Sequence, residues 1–310
     1  MRIAILGATS NIAQDLLESF RNKDDHEWVL FARRPETVRQ WLDRLGFAQR
    51  HSIAEYANFG EDHQFDAIVN FVGVGNPAQA IKMGASIMEL TLQFDALALN
   101  YVGQHPHCRY IFLSSGAAYG SNFEEPVDET SNAVFAINNL AAQDWYSVAK
   151  MHAECRHRSL AHLPIVDIRV FNYFSYSADV EARFLITDIL RSIRECSVLQ
   201  TSKENIFRDY IGPNEISQMI QRVFQSPFRN AAIDCFSLEP VDKISLLIRM
   251  QSEFGLKYEL VEQPTGIVAT GRKLHYYSNS RKASDLFGYI PEATSLDIVL
   301  QQSRRLLTSS

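Results

Sequence analysis

Tyr146 and Lys150 stand four positions apart in the stretch YSVAK, and their chemistry makes them the first candidates for a functional site. On a helix this offset places both side chains on one face. A phenol, with a reference pKa of about 10, is a poor base at neutral pH unless its anion is stabilised, and a lysine ammonium provides such stabilisation. The pair predicts a proton-transferring site, provided that neighbouring elements support so short a motif.

Ser115 is a third candidate, because it follows the apolar run Tyr110–Ser114, which is typical of a buried strand. Ligands of doubly wound sheets bind beyond the carboxyl ends of the strands, so this serine is expected at the same crevice. Its hydroxyl would hydrogen-bond the substrate oxygen that gains or loses a proton while a hydride moves to or from carbon. Ser115, Tyr146 and Lys150 are therefore the predicted catalytic residues.

The elements that must position these residues alternate between short apolar runs and longer amphipathic ones. The strands predicted for the first half are Ile3–Leu6, Trp28–Ala32, Ala67–Val72, Tyr110–Ser114 and Ile165–Phe171. The helices predicted between them include Asn11–Arg21, Thr37–Leu45 and Ala85–Asn100. Apolar strands joined by helical crossovers indicate an α/β fold with a doubly wound parallel sheet of the Rossmann type.

After Phe171 the alternation becomes less regular, which indicates a smaller α/β lobe. The predicted helices here are Phe184–Glu195, Glu215–Gln225, Lys243–Phe254, Ser280–Phe287 and Leu296–Leu307, and the predicted strands are Ala232–Phe236 and Tyr258–Val261. We assign residues 1–172 and about 206–238 to a dinucleotide-binding domain. Residues of about 173–205 and 239–310 form the interwoven C-terminal substrate-binding lobe.

The stretch GATSNIA follows the first strand and opens the first helix, where backbone N–H groups suit a pyrophosphate. Gly7 supplies the tight turn, Ser10 stands where the backbone approaches the phosphates, and Ala13 permits close helix packing. Only one of the three usual glycines is present, so an ordinary strand-to-helix turn remains the alternative. The expected cofactor contacts here are Gly7, Thr9, Ser10, Asn11 and Ile12.

The end of the second strand, LFARR, bears on the choice of cofactor. An acid that binds a ribose 2′-hydroxyl is usual there, but this sequence has Phe31 and Ala32, followed by Arg33 and Arg34. An arginine fork pairs well with a dianionic 2′-phosphate. NADP(H) is therefore favoured over NAD(H), with a solvated pair of surface arginines as the alternative.

Composition and charge argue against several other classes of function. A formal net charge of −6 gives no reason to expect a nucleic-acid partner. The four cysteines stand far apart and form no ligand cluster, so we expect reduced thiols and no metal site. No apolar run reaches the length of a signal-peptide core or a membrane span, so a cytoplasmic protein without a membrane partner is predicted.

Six motifs follow one another along nearly the whole chain: GATSNIA, FLSSGAAYG, YSVAKMHAE, IRVFNYF, FRDYIGPNEI and YYSNSRKASDLFGYIP. In this order the sequence resembles the extended short-chain dehydrogenase/reductase family, a group of nucleotide-sugar epimerases, dehydratases and reductases. The resemblance implies that Ser115, Tyr146 and Lys150 form the catalytic triad and that Lys150 also binds the nicotinamide ribose. It further implies a nucleotide-sugar partner, homodimers and a role in polysaccharide biosynthesis.

The resemblance also implies further contacts with cofactor and substrate. Phe171 and Asn172 match the segment that lines the nicotinamide and the substrate pyrophosphate. Arg208 matches an arginine that contacts a nucleotide-sugar phosphate, with a plain ion pair as the alternative. Arg272 stands, by a looser match, where many members carry another phosphate-binding arginine. The remaining expected cofactor contacts are Val72 and Ser114.

We predict an NADP(H)-dependent oxidoreductase that reduces a 4-keto group of a nucleotide-activated sugar, with or without epimerisation. Reductases exchange their cofactor at each turnover and commonly use NADPH, whereas the epimerases tend to retain NAD. An NAD-dependent 4-epimerase is the first alternative; a dehydratase is disfavoured, because Gly116 and Ala117 stand where an acid/base pair is frequent. An NADP(H)-sensing binding protein without turnover is the alternative from another class, and the Tyr/Lys pair argues against it.

Overall fold

A computed structural model of the chain describes residues 1–21, 26–47, 51–60, 64–74, 77–262 and 273–308. Its strands are β1 Arg2–Leu6, β2 Glu27–Phe31, β3 Ser52–Ala54, β4 Ala67–Asn70, β5 Arg109–Ser115, β6 Ile165–Val170, β7 Asn172–Tyr173, β8 Val198–Ser202, β9 Phe207–Arg208, β10 Tyr210–Ile211, β11 Ala231–Cys235, β12 Val241–Asp242, β13 Lys257–Val261 and β14 His275–Tyr276. Its helices are α1 Asn11–Phe20, α2 Pro35–Arg44, α3 Pro77–Met83, α4 Ser86–Gln104, α5 Trp145–Ser159, α6 Leu185–Arg194, α7 Pro213–Gln225, α8 Lys243–Phe254, α9 Lys282–Phe287 and α10 Ser295–Thr308. Among the described helices, none combines the length and apolar character needed to cross a bilayer.

The central sheet has seven parallel strands in the order β11-β6-β5-β4-β1-β2-β3. The chain winds outward from β1 in one direction and from β4 in the other, so the two halves diverge between these strands. Ligands of such sheets bind at this divergence, beyond the carboxyl ends of the strands. The predicted doubly wound α/β fold is confirmed.

Each face of the sheet has its own hydrophobic core, because successive side chains of a strand point to opposite faces. In β1, Ile3 and Ile5 belong to a core shared with α1, α2 and α7, while Ala4 and Leu6 belong to a core shared with α4 and α5. Strands covered by helices on both faces must be apolar throughout, which is why the sequence pattern identified them.

The remaining part of the chain builds smaller sheets beside the carboxyl ends of the central strands. They are ordered β10-β7, β12-β9-β14 and β13-β8, and a third core lies among α6, α8 and α10. Meanwhile β11 returns to the central sheet and α7 packs in the first core. The division of the chain into two interwoven domains stays a prediction.

Candidate active site

Helix α5 carries Tyr146 in its first turn and Lys150 one turn later, facing the end of β5. Lys150 is 4% exposed, and its Nζ donates a hydrogen bond of 2.7 Å to the carbonyl oxygen of Leu113. The ammonium lies 4.3 Å from the centre of the Phe112 ring. Such burial is tolerated because the backbone oxygen and the ring face both favour a cation. Tyr146 and Lys150 are thus brought to the carboxyl end of a central strand.

Ser115, the last residue of β5, lies in the same cluster of hydroxyl groups. Its Oγ accepts a hydrogen bond of 3.1 Å from the backbone N–H of Ala117, and it is 3.5 Å from the hydroxyl of Tyr276. It also interacts with the Tyr146 hydroxyl, and this contact lowers the phenol pKa. The arrangement leaves one serine hydroxyl between two phenols, where it can share a substrate oxygen with Tyr146.

Within the protein itself, however, burial raises the pKa of Tyr146, and the Ser115 hydrogen bond offsets this only in part. Lys150 lies 5.9 Å from the centre of the Tyr146 ring, and burial lowers the pKa of Lys150 to about 8 against the opposing effect of Glu154. The pKa of Tyr146 therefore shifts upward, whereas a stabilised phenolate would shift it downward, because removal of the phenol from water outweighs the effect of the neighbouring charges. Phenolate formation would then depend on the charge of an oxidised nicotinamide.

The first loop, before α1, forms one wall of a cavity of about 220 Å³ beside the carboxyl ends of β1 and β4. Gly7 has a φ of +83°, and a Cβ at this position would come within 2.9 Å of the backbone of Phe71 and Val72. Only glycine therefore allows the two loops to approach each other so closely. The cavity is lined by Gly7, Thr9, Ser10, Arg33, Arg34, Tyr56, Phe71, Val72, Gly73, Leu90 and Phe94.

These lining groups suit the pyrophosphate and ribose of a dinucleotide, with the N-terminus of α1 at the phosphate position. Lys150 reaches the same wall, since a Cβ on Gly73 would lie 3.6 Å from its Nζ. Arg33 and Arg34 are both exposed and make no ion pair within the described parts of the chain. The residues present therefore fit a nicotinamide dinucleotide.

Tyr56 is a lining residue that the sequence did not reveal. Its hydroxyl accepts a hydrogen bond of 2.8 Å from the Gly7 N–H, and its ring lies 4.5 Å from that of Phe94. Burial raises the pKa of Tyr56 to about 12. Since 49 positions separate Tyr56 from Gly7, no local motif could have linked them.

Several predicted contact residues have their side chains engaged elsewhere. The Ser114 hydroxyl donates to Glu154 at 2.6 Å, and the Asn11 amide donates to the backbone of Ser177 at 2.9 Å. The Asn172 amide donates to the Asp209 backbone oxygen at 3.0 Å. Phe171 packs against Tyr276 at 5.2 Å, and Ile12 packs against the first core. Direct ligand contacts by these five side chains stay predictions.

Arg208 lies on β9, next to Tyr276 of β14, with which it is in register. Its guanidinium donates hydrogen bonds to the carbonyl oxygens of Phe207 and Lys273, at 2.7 and 2.8 Å. Burial lowers the pKa of Arg208, and no carboxylate within the described ranges forms an ion pair with it. The alternative of a plain ion pair thus finds no support there. Arg272 lies outside the described residues.

In the described parts of the chain, no group of three or more potential ligand side chains could hold a metal ion. The doubly wound fold, the cavity and the Ser/Tyr/Lys cluster agree with the resemblance to the extended short-chain dehydrogenase/reductase family that the motifs indicated. The model of the NAD dependent epimerase/dehydratase family matches residues 3–232. The chain belongs to this family. The resemblance inferred from its motifs is confirmed.

Solved structures with the same fold include enzymes acting on nucleotide sugars. A UDP-glucose 4-epimerase from Thermotoga maritima, with UDP-glucose, has a TM-score of 0.81 at 13% identity, covering 100% of this chain and 99% of that one. A UDP-glucose-4-epimerase from Stenotrophomonas maltophila, with NAD and formylated UDP-arabinopyranose, has a TM-score of 0.80 at 15% identity, and the match covers 100% of both chains. A dTDP-glucose 4,6-dehydratase from Bacillus anthracis, with NAD, has a TM-score of 0.78 at 14% identity, and the match covers 100% of this chain and 97% of that one. A comparison with curated proteins found no match to the sequence.

Proposed function

We propose that this enzyme uses NADP(H) to reduce the 4-keto group of a nucleotide-activated sugar, with or without epimerisation. The observation that carries the proposal is the placement of Ser115, Tyr146 and Lys150 together at the carboxyl end of β5. Membership of the epimerase/dehydratase family supports a nucleotide-sugar substrate. A homodimer and a cytoplasmic location remain predictions.

Each of the three residues has a separate task in this reaction. Bound NADPH supplies the hydride. Tyr146 donates the proton to the carbonyl oxygen, and Ser115 holds that oxygen by a hydrogen bond. Lys150 binds the nicotinamide ribose and favours the phenolate that remains after proton transfer. The buried surroundings strengthen these interactions, because the local dielectric is lower than in water.

The preference for NADP(H) rests on Arg33 and Arg34 at the cavity wall. No carboxylate within the described ranges is paired with them, so both guanidiniums are available to a 2′-phosphate. Solved relatives carry NAD, which keeps an NAD-dependent 4-epimerase as the alternative. The two are separable because a reductase consumes one NADPH per product, whereas an epimerase interconverts sugars without net use of cofactor.

Replacing both arginines, by Arg33→Ala with Arg34→Ala, should remove most of the preference for NADPH over NADH. The binding free energy of NADPH should become less favourable by about 1.5–3 kcal/mol, as expected for the loss of charged hydrogen bonds. Titration of both cofactors with both proteins measures it. The matched control is Arg39→Ala with Arg44→Ala, two exposed arginines of α2. Equal affinity of the unsubstituted enzyme for NADPH and NADH would overturn the cofactor assignment.

Arg208→Ala is expected to weaken nucleotide-sugar binding about 10-fold or more, through loss of charged hydrogen bonds, and to leave NADP(H) binding nearly unchanged. Titration with UDP and with NADPH separates the two effects. Arg249→Ala, an exposed arginine on α8, serves as the control. If both ligands bind Arg208→Ala as before, the arginine is structural and the nucleotide-sugar assignment loses its main support among the residues after β6.

The sensor alternative makes a different prediction for Lys150. A protein that only binds NADP(H) needs no proton transfer and should keep its function in Lys150→Ala once NADP(H) is raised to saturation, while the enzyme should lose turnover even at saturating cofactor. The burial of Lys150 next to Ser115 and Tyr146 favours the enzyme, because titratable groups with perturbed pKa values that cluster at a cleft are typical of catalytic sites.

A further inference from the structure

Lys273, just before β14, brings a second positive charge to the catalytic end of the cleft. Its Nζ lies 4.3 Å from the centre of the Tyr276 ring and 4.9 Å from that of Phe123. The hydroxyl of the same Tyr276 is 3.5 Å from Ser115 Oγ. One aromatic ring therefore separates this ammonium from the serine that would hold the reacting oxygen.

Two other described cations near Lys273 already have hydrogen-bond partners, namely Lys243 and Arg208. Lys243 is buried and donates to the Ser202 hydroxyl at 3.0 Å and to its carbonyl oxygen. Arg208 donates to two carbonyl oxygens, one of them that of Lys273 itself, but both bonds come from Nη1, so Nη2 and Nε have no hydrogen bond within the described residues and are left for a phosphate. The Lys273 ammonium has neither a hydrogen bond nor an ion pair within the described residues. Its contacts are the two aromatic rings, so its donors remain available to a ligand.

The electrostatic surroundings of Lys273 call for an anion. Burial and the nearby Arg208 lower the pKa of Lys273 to about 8; among the described residues Asp144, which lies beyond ion-pair distance, opposes them. A half-buried ammonium close to a guanidinium is unfavourable unless a negative group lies between or beside them. Stacking on Phe123 and Tyr276 compensates for only part of that cost, because the free energy gained from cation–π contacts is small.

Arg208 and Lys273 both lie near the Tyr276 ring, but at different distances from it. The Arg208 guanidinium is 5.9 Å from the Tyr276 ring centre, whereas Lys273 lies closer and also covers Phe123, which packs at 4.7 Å from Tyr276. The Tyr276 hydroxyl is 3.5 Å from Ser115 Oγ, so the contact of Lys273 with Tyr276 places the ammonium on the side of the reacting sugar. A pyrophosphate at Arg208 leaves the second cation for an anion on the sugar.

We propose that Lys273 binds a carboxylate carried by the sugar, so that the substrate class is a nucleotide-activated sugar acid. The inference rests on the proposed function, because it takes Arg208 as the pyrophosphate site. A carboxylate at sugar C6 is attached to the carbon next to C4, and it would lie beside the keto group that Ser115 and Tyr146 hold. Lys273 is then a residue that determines substrate specificity.

The test uses UDP, UDP-glucose and UDP-glucuronate, titrated into the full chain saturated with NADP⁺. The two sugars differ only in a hydroxymethyl group against a carboxylate. We expect UDP-glucuronate to bind at least about 10-fold more tightly than UDP-glucose, as for one charged hydrogen bond. Lys273→Gln should abolish this preference and change UDP affinity by less than about 2-fold. Lys273→Arg, which keeps the charge, and the exposed Lys257→Gln should both retain the preference.

The outcomes distinguish this inference from the function on which it rests. No preference in the unsubstituted enzyme, or a preference that survives Lys273→Gln, overturns the sugar-acid assignment alone. Equal weakening of all three ligands in Lys273→Gln would place the lysine at the pyrophosphate and also overturn it. If the cofactor binds but none of the three nucleotides does, the proposed nucleotide-sugar function fails as well. Thermal unfolding of each variant verifies that it is folded.

Discussion

Tyr146→Phe is expected to reduce hydride transfer roughly 10²–10⁴-fold, the usual effect of removing a general acid. The substitution deletes one hydroxyl and keeps the ring of a half-buried side chain, so the fold and cofactor binding should survive. The measurement is single-turnover oxidation of bound NADPH by a UDP-4-ketohexose. Tyr258→Phe, which removes a phenol from β13, is the matched control and should react at the unsubstituted rate.

The pH dependence of the same reaction tests the role of Tyr146 independently. The protein alone raises the phenol pKa through burial, so a pKa of the Tyr146 phenol well below 10 would require the positive charge of a bound oxidised cofactor. In the oxidative direction we expect the rate to rise with pH through such a value, and this limb should be absent in Tyr146→Phe. Equal single-turnover rates in the two proteins would mean that the Tyr/Lys spacing is a coincidence.

Lys150→Met should have two effects of similar size, because the ammonium is proposed to contact the ribose and to favour the phenolate. Cofactor affinity should fall about 10-fold or more, and turnover at saturating cofactor should fall as well. Methionine keeps an unbranched apolar side chain, one heavy atom shorter than lysine, and removes the ammonium that lies over Phe112. Fluorescence titration with NADPH and single-turnover kinetics measure the two effects separately.

The lowered pKa of Lys150 also predicts how the affinity for the cofactor changes with pH. With a pKa of about 8, the free enzyme loses the ammonium as pH rises through that value, so affinity for the cofactor should decline above it. Lys150→Met should show no such decline, while Lys82→Met on α3 should behave as the unsubstituted enzyme. Unchanged affinity and unchanged turnover in Lys150→Met would remove the lysine from the mechanism.

What the sequence made predictable depended on local periodicity. Tyr146 and Lys150 share a face because a helix repeats every 3.6 residues, and the central strands were recognisable because burial on both faces makes them continuously apolar. The helix ends were predicted to within a few residues: the predicted Lys243–Phe254 agrees with α8, and Thr37–Leu45 corresponds to Pro35–Arg44.

Elements too short for a period were not predictable. Strand β3 has three residues and β9, β12 and β14 have two each, so their pairing depends on the rest of the fold. Their pairing nevertheless places Arg208 beside Tyr276.

Long-range neighbours were equally hidden from the sequence. Tyr276 lies 161 positions from Ser115, and only the folded lobe brings its hydroxyl to the site. The contact of Tyr56 with Gly7 at the cofactor cavity could not be predicted either. Nor could the sequence show that, within the described residues, no carboxylate forms an ion pair with Arg208. Burial also reversed one expectation, because the desolvation of Tyr146 could not be judged before its surroundings were known.

The most direct test of the central claim is the transfer of deuterium from [4-²H]NADPH, prepared in both stereochemical forms, to a UDP-4-ketohexose. A reductase built on Ser115, Tyr146 and Lys150 should place one deuterium on C4 of the sugar from one of the two forms, with one NADPH oxidised per product. Mass spectrometry of the sugar and the absorbance of NADPH report both quantities. Unlabelled sugar and unoxidised NADPH, in a protein that binds both ligands, would contradict the account.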